Sequence, residues 1–508
     1  MIGMLLVLII LLLLPLLLWR RTKFYWEKRK IPYVPPTFPF GNIKDIIFMH
    51  KTLGEVYDEI YWKFKDLPYG GMYRFISPSI MLRDPELIKA VFVKEFNSFQ
   101  GNDWYVDPKL EPILGLNPFN LVGSEWTRSR MAVTSSLTLC KIKGMMPQIY
   151  FICDNLKAYL ELNQNEFLEG YDVFGKYTTD IIASCAFGLD SQSFTDSKSK
   201  LREVSSKMFN TGIKGNLALF CALYMKKLGR LLKFKIFSDE INDYFVAIIK
   251  EASDYRIKNG ISRNDFLQML IDANLEHLQQ GKGPLYNYQE MAAHCMTFFL
   301  DGFETTSIFL AFIVHEISLN PKVQTTLRNE IQTVGLKIRD FDFEKLNGLN
   351  YLDMVLKETL RKHPPGTTMA RLCNKSVVLT NPKRNISLHI EEGMSVTLPM
   401  YSLHNDPEYF PNPEIFDPLR FTKENIAKRP EFCYFPFGGG PRSCPGYKFA
   451  YTMIKLAVVI TVLHFNLESK DNVHTKLELN PLNTFFHSAK DGLWVRYTSL
   501  KTKSDEDV

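Results

Sequence analysis

The sequence predicts a large domain with long buried helices behind a single N-terminal transmembrane helix, and three long apolar segments support this prediction. The first, residues 2–19, is almost entirely apolar and uncharged, and it is long enough to span a bilayer. The second begins with the helix N-cap spacing of Asn287 and Glu290 and runs to the residue before Pro321. The third is the periodic segment Tyr447–Phe465, which follows a glycine-rich loop.

A basic flank follows the N-terminal apolar segment. Residues 20–30 contain six Lys or Arg side chains against a single Glu, and an excess of positive charge marks the cytoplasmic end of a transmembrane helix. A cleaved signal peptide is the alternative, but it needs basic residues before the apolar segment and small residues at a cleavage site. Neither is present. We therefore predict an uncleaved anchor at residues 1–19, with the rest of the chain facing the cytosol.

Residues 31–42 contain four prolines, which argues against a helix or a central strand there. We predict a stiff, extended linker between the membrane and the domain. No second linker, repeat or low-complexity segment follows before about residue 497. The predicted organisation is an anchor at residues 1–19, a basic and proline-rich linker at residues 20–42, and one domain at residues 43–508.

Composition limits what this domain can be. The chain has 508 residues, 46% of them hydrophobic, which is enough for a large buried core. Its net charge is only +6 and no basic stripe stands out, so we expect no nucleic-acid partner. The eight cysteines are scattered without paired spacing. We expect them to be reduced, and seven of them, all except Cys444, to be small core residues.

The most specific stretch is the loop Phe437–Gly446, which reads Phe-Gly-Gly-Gly-Pro-Arg-Ser-Cys-Pro-Gly. Its three glycines permit backbone conformations closed to other residues and a close approach to a flat ligand. Arg442 is a permanent cation that can bind a carboxylate. Cys444 precedes the predicted helix at Tyr447, where backbone N–H groups and the helix dipole favour a thiolate. The alternative, a plain turn with a structural cysteine, requires neither the aromatic residue nor the arginine. A phosphate-binding loop is excluded because no Lys-Ser or Lys-Thr pair follows the glycines.

This loop resembles the haem loop of the cytochrome P450 monooxygenases, whose pattern F-x-x-G-x-R-x-C-x-G it matches at each fixed position. The resemblance implies the P450 fold, which is mainly α-helical with small β-sheets, and it makes residues 43–508 a haem-containing catalytic domain. It implies that Cys444 is the axial ligand of the iron of haem b, that Arg442 contacts a haem propionate, and that Phe437 belongs to the cofactor-binding loop. A thiolate ligand pushes electron density onto the iron and favours O–O cleavage.

Two further segments match the family's pattern for binding the propionates. Trp126 and Arg130 are four residues apart, so on a helix they lie on one face and together offer donors to a carboxylate. By itself such a pair is more typical of a helix surface. Beside the cysteine loop, its resemblance to the family's WxxxR motif assigns it to a propionate. Arg371 matches a second propionate ligand of the family.

Glu358 and Arg361 are an acid and a base at positions i and i+3 of one helix face. A surface ion pair is the simple interpretation. In the family, however, this ExxR pair is buried and linked to the arginine of a PxRF segment, which is Arg420 here. A buried pair of this kind contributes more to the specificity of the fold than to its net stability.

The predicted central helix carries the sequence Asp301-Gly302-Phe303-Glu304-Thr305-Thr306 near its middle. Acids and hydroxyls inside an apolar helix are costly unless they have a role. The family's pattern here is (Ala/Gly)-Gly-x-(Asp/Glu)-Thr-(Thr/Ser), so Glu304 and Thr305 match the acid–alcohol pair that guides protons to the oxygen site. Asp301 departs from this pattern, which has a small residue. It lies one turn from Thr305 and is either paired with a neighbouring helix or receives the cationic nitrogen of a basic substrate.

Residues 217–237 combine aromatic and aliphatic residues with five basic ones. An ordinary amphipathic helix explains this composition. A segment that dips into the membrane surface explains it equally well, and the region between the two lid helices does so in this family. Both interpretations stay open.

The resemblance implies an enzyme that inserts one oxygen atom from O₂ into a small apolar molecule, a xenobiotic or an endogenous lipid or hormone, while the other atom leaves as water. No G-x-G-x-x-G unit for a nicotinamide or flavin is present. NADPH–cytochrome reductase is therefore the expected electron donor, with cytochrome b5 as a second candidate. Residues 177–188 resemble the microsomal subgroup that contains insect and vertebrate drug-metabolising enzymes, which implies the endoplasmic reticulum membrane.

Two alternatives to a monooxygenase are a haem-thiolate isomerase or peroxygenase and a non-catalytic haem protein that binds ligands. The Glu304–Thr305 pair argues against both.

Overall fold

The computed structural model describes residues 24–195, 200–209, 212–472, 477–483 and 486–500. The predicted anchor, residues 1–19, and the first residues of the predicted linker, 20–23, lie outside the described residues. Within that description, two helices are long and apolar enough to cross a bilayer, Tyr288–Leu319 and Tyr447–His464, and both are mostly buried in the domain. They are the core helices that the sequence predicts.

Helices account for most of the described chain. They are α1 (Tyr25–Arg29), α2 (Lys44–Ile47), α3 (Leu53–Lys63), α4 (Pro85–Lys89), α5 (Pro112–Gly115), α6 (Gly123–Ser136), α7 (Leu139–Leu162), α8 (Gly170–Ile182), α9 (Lys200–Phe209), α10 (Gly212–Tyr224), α11 (Lys226–Leu232), α12 (Asp239–Asn259), α13 (Phe266–Gln279), α14 (Tyr288–Leu319), α15 (Pro321–Val334), α16 (Phe343–Gly348), α17 (Asn350–Lys362), α18 (Met400–His404), α19 (Lys423–Ala427) and α20 (Tyr447–His464).

The described strands form three small sheets. They are β1 (Tyr69–Arg74), β2 (Ser77–Leu82), β3 (Gly101–Asn102), β4 (Phe167–Glu169), β5 (Met369–Leu372), β6 (Val377–Asn381), β7 (Ile386–Ile390), β8 (Ser395–Leu398), β9 (Phe465–Ser469) and β10 (Trp494–Ser499). The strand orders are β1-β2-β8-β5-β3, β4-β10-β9 and β6-β7. This confirms the prediction of a mainly α-helical domain with small β-sheets.

The five-stranded sheet fixes the position of Arg371. Strand β5 pairs antiparallel with β8, which places Arg371 opposite Val396. On its other side β5 pairs antiparallel with β3, where Arg371 lies opposite Asn102. Backbone hydrogen bonds on both sides therefore hold this arginine.

Helix α14 is the central element because apolar residues occupy nearly its whole circumference. Its N-terminus is closed by the predicted capping box: the Asn287 side chain accepts from Glu290 N at 2.9 Å, and the Glu290 carboxylate accepts from Asn287 N at 3.0 Å. The helix ends at Leu319, two residues before Pro321 begins α15. It packs against α8, α12 and α20, so it crosses the main core of the domain.

The ExxR pair forms a buried junction, as the resemblance implies. Arg361 Nε and Nη2 donate to the two carboxylate oxygens of Glu358 at 2.8 and 2.9 Å, and neither side chain is exposed. Arg420 Nε lies 3.4 Å from Glu358 Oε1. Arg361 Nη1 also donates to the carbonyl of His404 at 3.2 Å. These contacts tie α17 to α18 and to the segment of the PxRF motif.

The described part of the predicted linker, residues 24–42, begins with the short helix α1 and continues as an extended segment, and it lies against the domain. Val34 N donates to Gly71 O at 2.9 Å and Gly71 N donates to Pro32 O at 2.7 Å, so the proline-rich segment pairs with β1. Trp26 is fully buried against this sheet. The large apolar surface of Trp26 explains the difference from a free spacer, since burying an aromatic side chain stabilises docking. The boundary at residue 43 stays a prediction.

The cysteines are placed as the sequence predicts, with one exception. All eight are free thiols, and six are buried. Cys140 is exposed in the first turn of α7, so the prediction that it is a core residue was wrong. The opening turn of this helix faces solvent at that position.

Candidate active site

The cysteine loop is a hydrogen-bonded turn immediately before α20. Cys444 N donates to Phe437 O at 2.9 Å, and Gly438 N donates to Phe435 O at 2.8 Å. Helix α20 begins at Tyr447, three residues after Cys444. This confirms the predicted position of Cys444 just before a helix N-terminus.

The backbone conformation of this loop and its close neighbours leave no room for side chains at its glycines. Gly438 and Gly440 have φ values of 71° and 64°, a region that favours glycine. A Cβ on Gly440 would collide with the backbone carbonyl of Phe92, and one on Gly439 would collide with the Phe432 ring. The glycines therefore allow close approach of Phe92 and Phe432 to the loop. The predicted close approach of a flat ligand stays a prediction.

Groups around the Cys444 thiol change its pKa in opposite directions. Burial raises its pKa to about 11, and the carboxyl of Asp301 acts in the same direction. The backbone N–H groups of Gly446 and Tyr447 and the Arg130 guanidinium lower the pKa. The protein alone therefore keeps the thiol protonated at neutral pH. A bound metal cation would favour the thiolate, with the N–H groups already oriented toward the sulfur.

Three guanidinium groups converge beside this loop, and none has a carboxylate partner in the described part of the chain. Arg371 is 2% exposed and Arg442 is 9% exposed, while Arg130 is half-buried. Among the described residues, none of the three lies within 4.0 Å of an Asp or Glu oxygen. Burial and then the charge of Arg442 lower the pKa of Arg371 to about 9, and burial and then Arg130 lower that of Arg442 to about 10. Buried like charges of this kind require an anion.

Neutral contacts hold these arginines in place. Arg130 Nη2 donates to Ser443 O at 2.6 Å, and Arg442 Nη1 donates to Pro118 O at 3.1 Å. Arg371 Nη1 donates to the side-chain oxygen of Asn102. Arg442 Nε is buried with no partner among the described residues. Each guanidinium thus keeps capacity for a ligand anion.

Trp126 and Arg130 lie on one face of α6, as their spacing predicts. The guanidinium carbon of Arg442 lies 4.8 Å from the centre of the Trp126 ring, a cation–π contact. Together with the Arg130–Ser443 bond, this contact attaches α6 to the cysteine loop. The structure therefore brings Trp126, Arg130, Arg371, Arg442 and Cys444 into one region.

Helix α14 has an accessible stripe in the middle of its buried length. Asp301 is exposed, and Gly302 and Thr305 are half-exposed, whereas the residues on either side are largely buried. A helix that crosses the core can have accessible residues there only if they face an internal space. Asp301 lies close enough to Cys444 to raise the pKa of that thiol, so the stripe and the cysteine loop are neighbours. We name the space that the stripe faces the internal cavity.

The acid–alcohol pair of α14 is divided between two environments. Thr305 faces the internal cavity, and its hydroxyl donates to the carbonyl of Asp301 at 2.6 Å. Glu304 is 4% exposed and points elsewhere, where its carboxylate accepts from the Tyr171 hydroxyl. Burial raises the pKa of Glu304 to about 7, against hydrogen bonds from Tyr171 and Asn483. The Glu304 carboxylate and the Thr305 hydroxyl make no hydrogen bond with each other among the described contacts.

Three partners in this region were not predicted from the sequence. Asn102 accepts from Arg371, Asn117 lies beside the Asp301 carboxylate, and Tyr171 donates to Glu304. Each pair is separated by more than 130 residues along the chain, and none has a recognisable spacing or motif. Only the fold brings them together.

Comparison with known proteins decides the family. The profile of the family described as Cytochrome P450 matches residues 32–492. The chain is a member of the cytochrome P450 family. It is 31% identical to probable cytochrome P450 6a14 of Drosophila melanogaster over 93% of this chain and 94% of that protein. It is 32% identical to cytochrome P450 9e2 of Blattella germanica, with 93% of each chain covered.

Family membership gives the site its cofactor. P450s are oxidoreductase monooxygenases that use haem with a cysteine thiolate as the axial ligand, and the insect relatives confirm the resemblance to the insect drug-metabolising P450s. The residues of this structure fit such a group. The arginine cluster offers three cations to two propionates, and Cys444 lies before a helix N-terminus and near Asp301.

Proposed function

We propose that this P450 inserts one oxygen atom from O₂ into a small apolar molecule, with two electrons from NADPH–cytochrome reductase and two protons reducing the other atom to water. The observation that supports it best is that Cys444 lies near the Thr305 stripe of α14, beside three cations that have no carboxylate partner among the described residues. Haem bound there would supply the oxygen-activating chemistry.

We propose the following roles for the residues of the cavity. Cys444 is the axial ligand, and Phe437 closes its loop by accepting the Cys444 N–H. Arg371 and Arg442 neutralise the haem propionates. Trp126 and Arg130 assist them and hold α6 on the cysteine loop.

Proton delivery would use Thr305 and Glu304 at different points. Thr305 presents its hydroxyl at the cavity. Glu304 lies behind it, bonded to Tyr171, which is itself half-exposed. A carboxyl whose pKa is about 7 can both accept and release a proton at neutral pH. We propose that protons pass from the Tyr171 side through Glu304 toward Thr305.

The membrane assignment is also a proposal. Residues 1–19 would anchor the chain in the endoplasmic reticulum, with the catalytic domain in the cytosol. The second contact would be α11, in which Leu231 and Leu232 are exposed beside basic residues. This orientation would place the domain where NADPH–cytochrome reductase, and cytochrome b5 as a second donor, can reach it.

Coupled turnover in membranes with and without reductase tests this function. Thr305→Ala should keep haem and substrate binding but divert reducing equivalents to peroxide, lowering product per NADPH by roughly tenfold or more. Thr297→Ala is the matched control, because Thr297 makes the same kind of backbone bond on α14, to Ala293 O at 3.0 Å, but is buried in the core. An unchanged product-to-NADPH ratio in Thr305→Ala would remove Thr305 from proton delivery.

The same assay separates the alternatives. A monooxygenase needs the reductase, and its product depends on NADPH. A peroxygenase or isomerase would form product from an oxidised substrate without reductase. A non-catalytic ligand binder would bind the compound, shift the haem spectrum and form no product under either condition.

A further inference from the structure

Asp301 is the one acidic side chain that the described structure places on the accessible stripe of α14. It is exposed to the internal cavity although α14 crosses the core of the domain. Its backbone carbonyl accepts the Thr305 hydroxyl at 2.6 Å, so its carboxylate starts one helical turn from that hydroxyl. A molecule that occupies the cavity next to Thr305 will therefore encounter a carboxyl group.

The partners of Asp301 are weak compared with those of the other buried acids. Asn117 Nδ2 lies 3.4 Å from both carboxylate oxygens, beyond the usual hydrogen-bond range of about 2.7–3.2 Å. No Lys or Arg among the described residues lies within 4.0 Å of Asp301. By contrast, Asp265 is paired with Arg256 at 2.6 Å, and Asp406 with Arg83 at 3.1 Å.

Other buried acids that lack a cation have several short hydrogen bonds instead. Glu111 accepts from the backbone N–H groups of Ile236 and Phe237 at 2.7 and 2.8 Å. Among the described residues, Asp301 has only the long amide contacts with Asn117. Although its carboxyl is accessible from the cavity, the surrounding protein removes it from bulk water and raises the pKa of Asp301 to about 7.

The loop that carries Asn117 also presents aromatic rings. Phe119 N donates to Asn117 Oδ1 at 2.7 Å, and the Phe119 side chain is about half exposed. Its ring centre lies 6.2 Å from that of Trp104 in an edge-to-face arrangement. The same loop is fixed to the haem-side arginine, because Arg442 donates to Pro118 O. The loop beside Asp301 thus carries aromatic side chains, a side-chain type that attracts organic cations as carboxylates do.

We propose that Asp301 accepts the ammonium group of a basic organic substrate, an apolar amine that is positively charged at neutral pH. This inference rests on the proposed function, because it assigns a substrate class to the same cavity. A charge-assisted contact of this kind should increase affinity for the cationic ligand about ten- to a hundredfold over an uncharged ligand of the same shape. The apolar remainder of the ligand would occupy the cavity in either case.

Three shape-matched probes test the proposal on the full-length, haem-loaded protein. They are N,N-dimethyl-2-phenylethylamine, its trimethylammonium analogue and the neutral carbon isostere isopentylbenzene. The trimethylammonium probe cannot lose its charge and cannot ligate iron through nitrogen. Dissociation constants are measured from the haem absorption shift or from displacement of a reporter ligand.

Asp301→Asn should weaken binding of the dimethylamine probe about ten- to a hundredfold and change binding of isopentylbenzene less than about twofold. It should weaken binding of the trimethylammonium probe by a smaller factor, because that cation has no N–H to donate. Asp301→Glu should retain the preference for cations because it keeps the charge. Asp243→Asn, which removes an exposed carboxylate of α12, is the control and should change none of the constants. If Asp301→Asn fails to fold, Asp301→Ala, which has the small residue of the family pattern, replaces it.

Equal losses for cationic and neutral probes, no loss for either, or no preference for the cations in the wild-type protein would each overturn the proposal. Different results would contradict the proposed function. These are the absence of a thiolate-type carbon monoxide spectrum from the reduced protein and the absence of NADPH-dependent product. A protein that passes these two tests but does not discriminate the probes remains a monooxygenase without a cation site at Asp301.

Discussion

At the scale of single residues, the site is defined by charges that lack a protein partner. Arg371 and Arg442 are buried without a carboxylate among the described residues, and Asp301 is similarly without a cation. Glu304 is a buried carboxyl that also lacks a cation in the described part of the chain but accepts hydrogen bonds from Tyr171 and Asn483. Burial outweighs these bonds and raises its pKa to about 7. Each of these groups destabilises the folded chain by itself, which is the expected cost of a binding site.

Glu304 gives a prediction about stability and pH. The carboxyl has an ordinary pKa of 4.5 and a folded pKa of about 7, so between these values the folded state binds more protons than the unfolded state. Stability contributed by this group is therefore lost as pH rises from about 4.5 to about 7. Glu304→Gln removes the titration, so its free energy of unfolding relative to wild type should rise by up to about 3 kcal/mol from pH 5 to pH 8.

Urea unfolding of both proteins at the two pH values measures this difference. Glu251→Gln, an exposed substitution on α12, serves as the control and should give the same difference at both pH values. A pH-independent effect of Glu304→Gln would show that the Glu304 pKa is not raised.

At the scale of elements, the lid region and the N-terminal segment form one surface. Residues 217–237, for which the sequence left two interpretations open, contain the end of α10 and a separate helix α11. Phe75 in the β1–β2 turn packs against Phe220 and Phe40 at ring-centre distances of 5.3 and 6.4 Å, and Phe40 packs against Phe48 at 5.2 Å. The membrane interpretation of α11 therefore agrees with the place where the chain enters the domain from the predicted anchor.

Two leucines of α11 give a prediction about membrane binding. Leu231 is 76% exposed and Leu232 is 50% exposed, and full burial of a Leu side chain in an apolar phase is worth about 1.5–3 kcal/mol. In a chain without residues 2–19, the double change Leu231→Ser and Leu232→Ser should reduce binding to anionic vesicles roughly tenfold or more.

Vesicle sedimentation measures the bound fraction. Leu162→Ser is the control, because Leu162 is 85% exposed at the end of α7, outside this surface. If Leu162→Ser and the α11 variant lose binding equally, α11 makes no specific membrane contact.

At the scale of the whole molecule, the sequence predicts which helices and loops carry the site residues. It does not predict which distant side chains contact those residues. The helix carrying Thr305, the loop carrying Cys444 and the buried Glu358–Arg361 pair follow from local patterns, because caps, glycines and i, i+3 spacing act within a few residues. The contacts of Asn117 with Asp301 and of Tyr171 with Glu304 depend on long-range packing that no local pattern encodes. The docking of Trp26 was missed for the same reason, since a proline-rich segment predicts extension but not what it packs against.

The carbon monoxide spectrum of the reduced, full-length protein tests the central claim, that Cys444 is the axial ligand of haem. Wild-type protein should give the thiolate-type spectrum, and Cys444→Ser should abolish it. Cys433→Ser is the matched control, because Cys433 is a buried thiol shortly before the same loop, and it should leave the spectrum unchanged. An unaltered thiolate-type spectrum in Cys444→Ser would contradict the assignment of Cys444 and with it the account of the site.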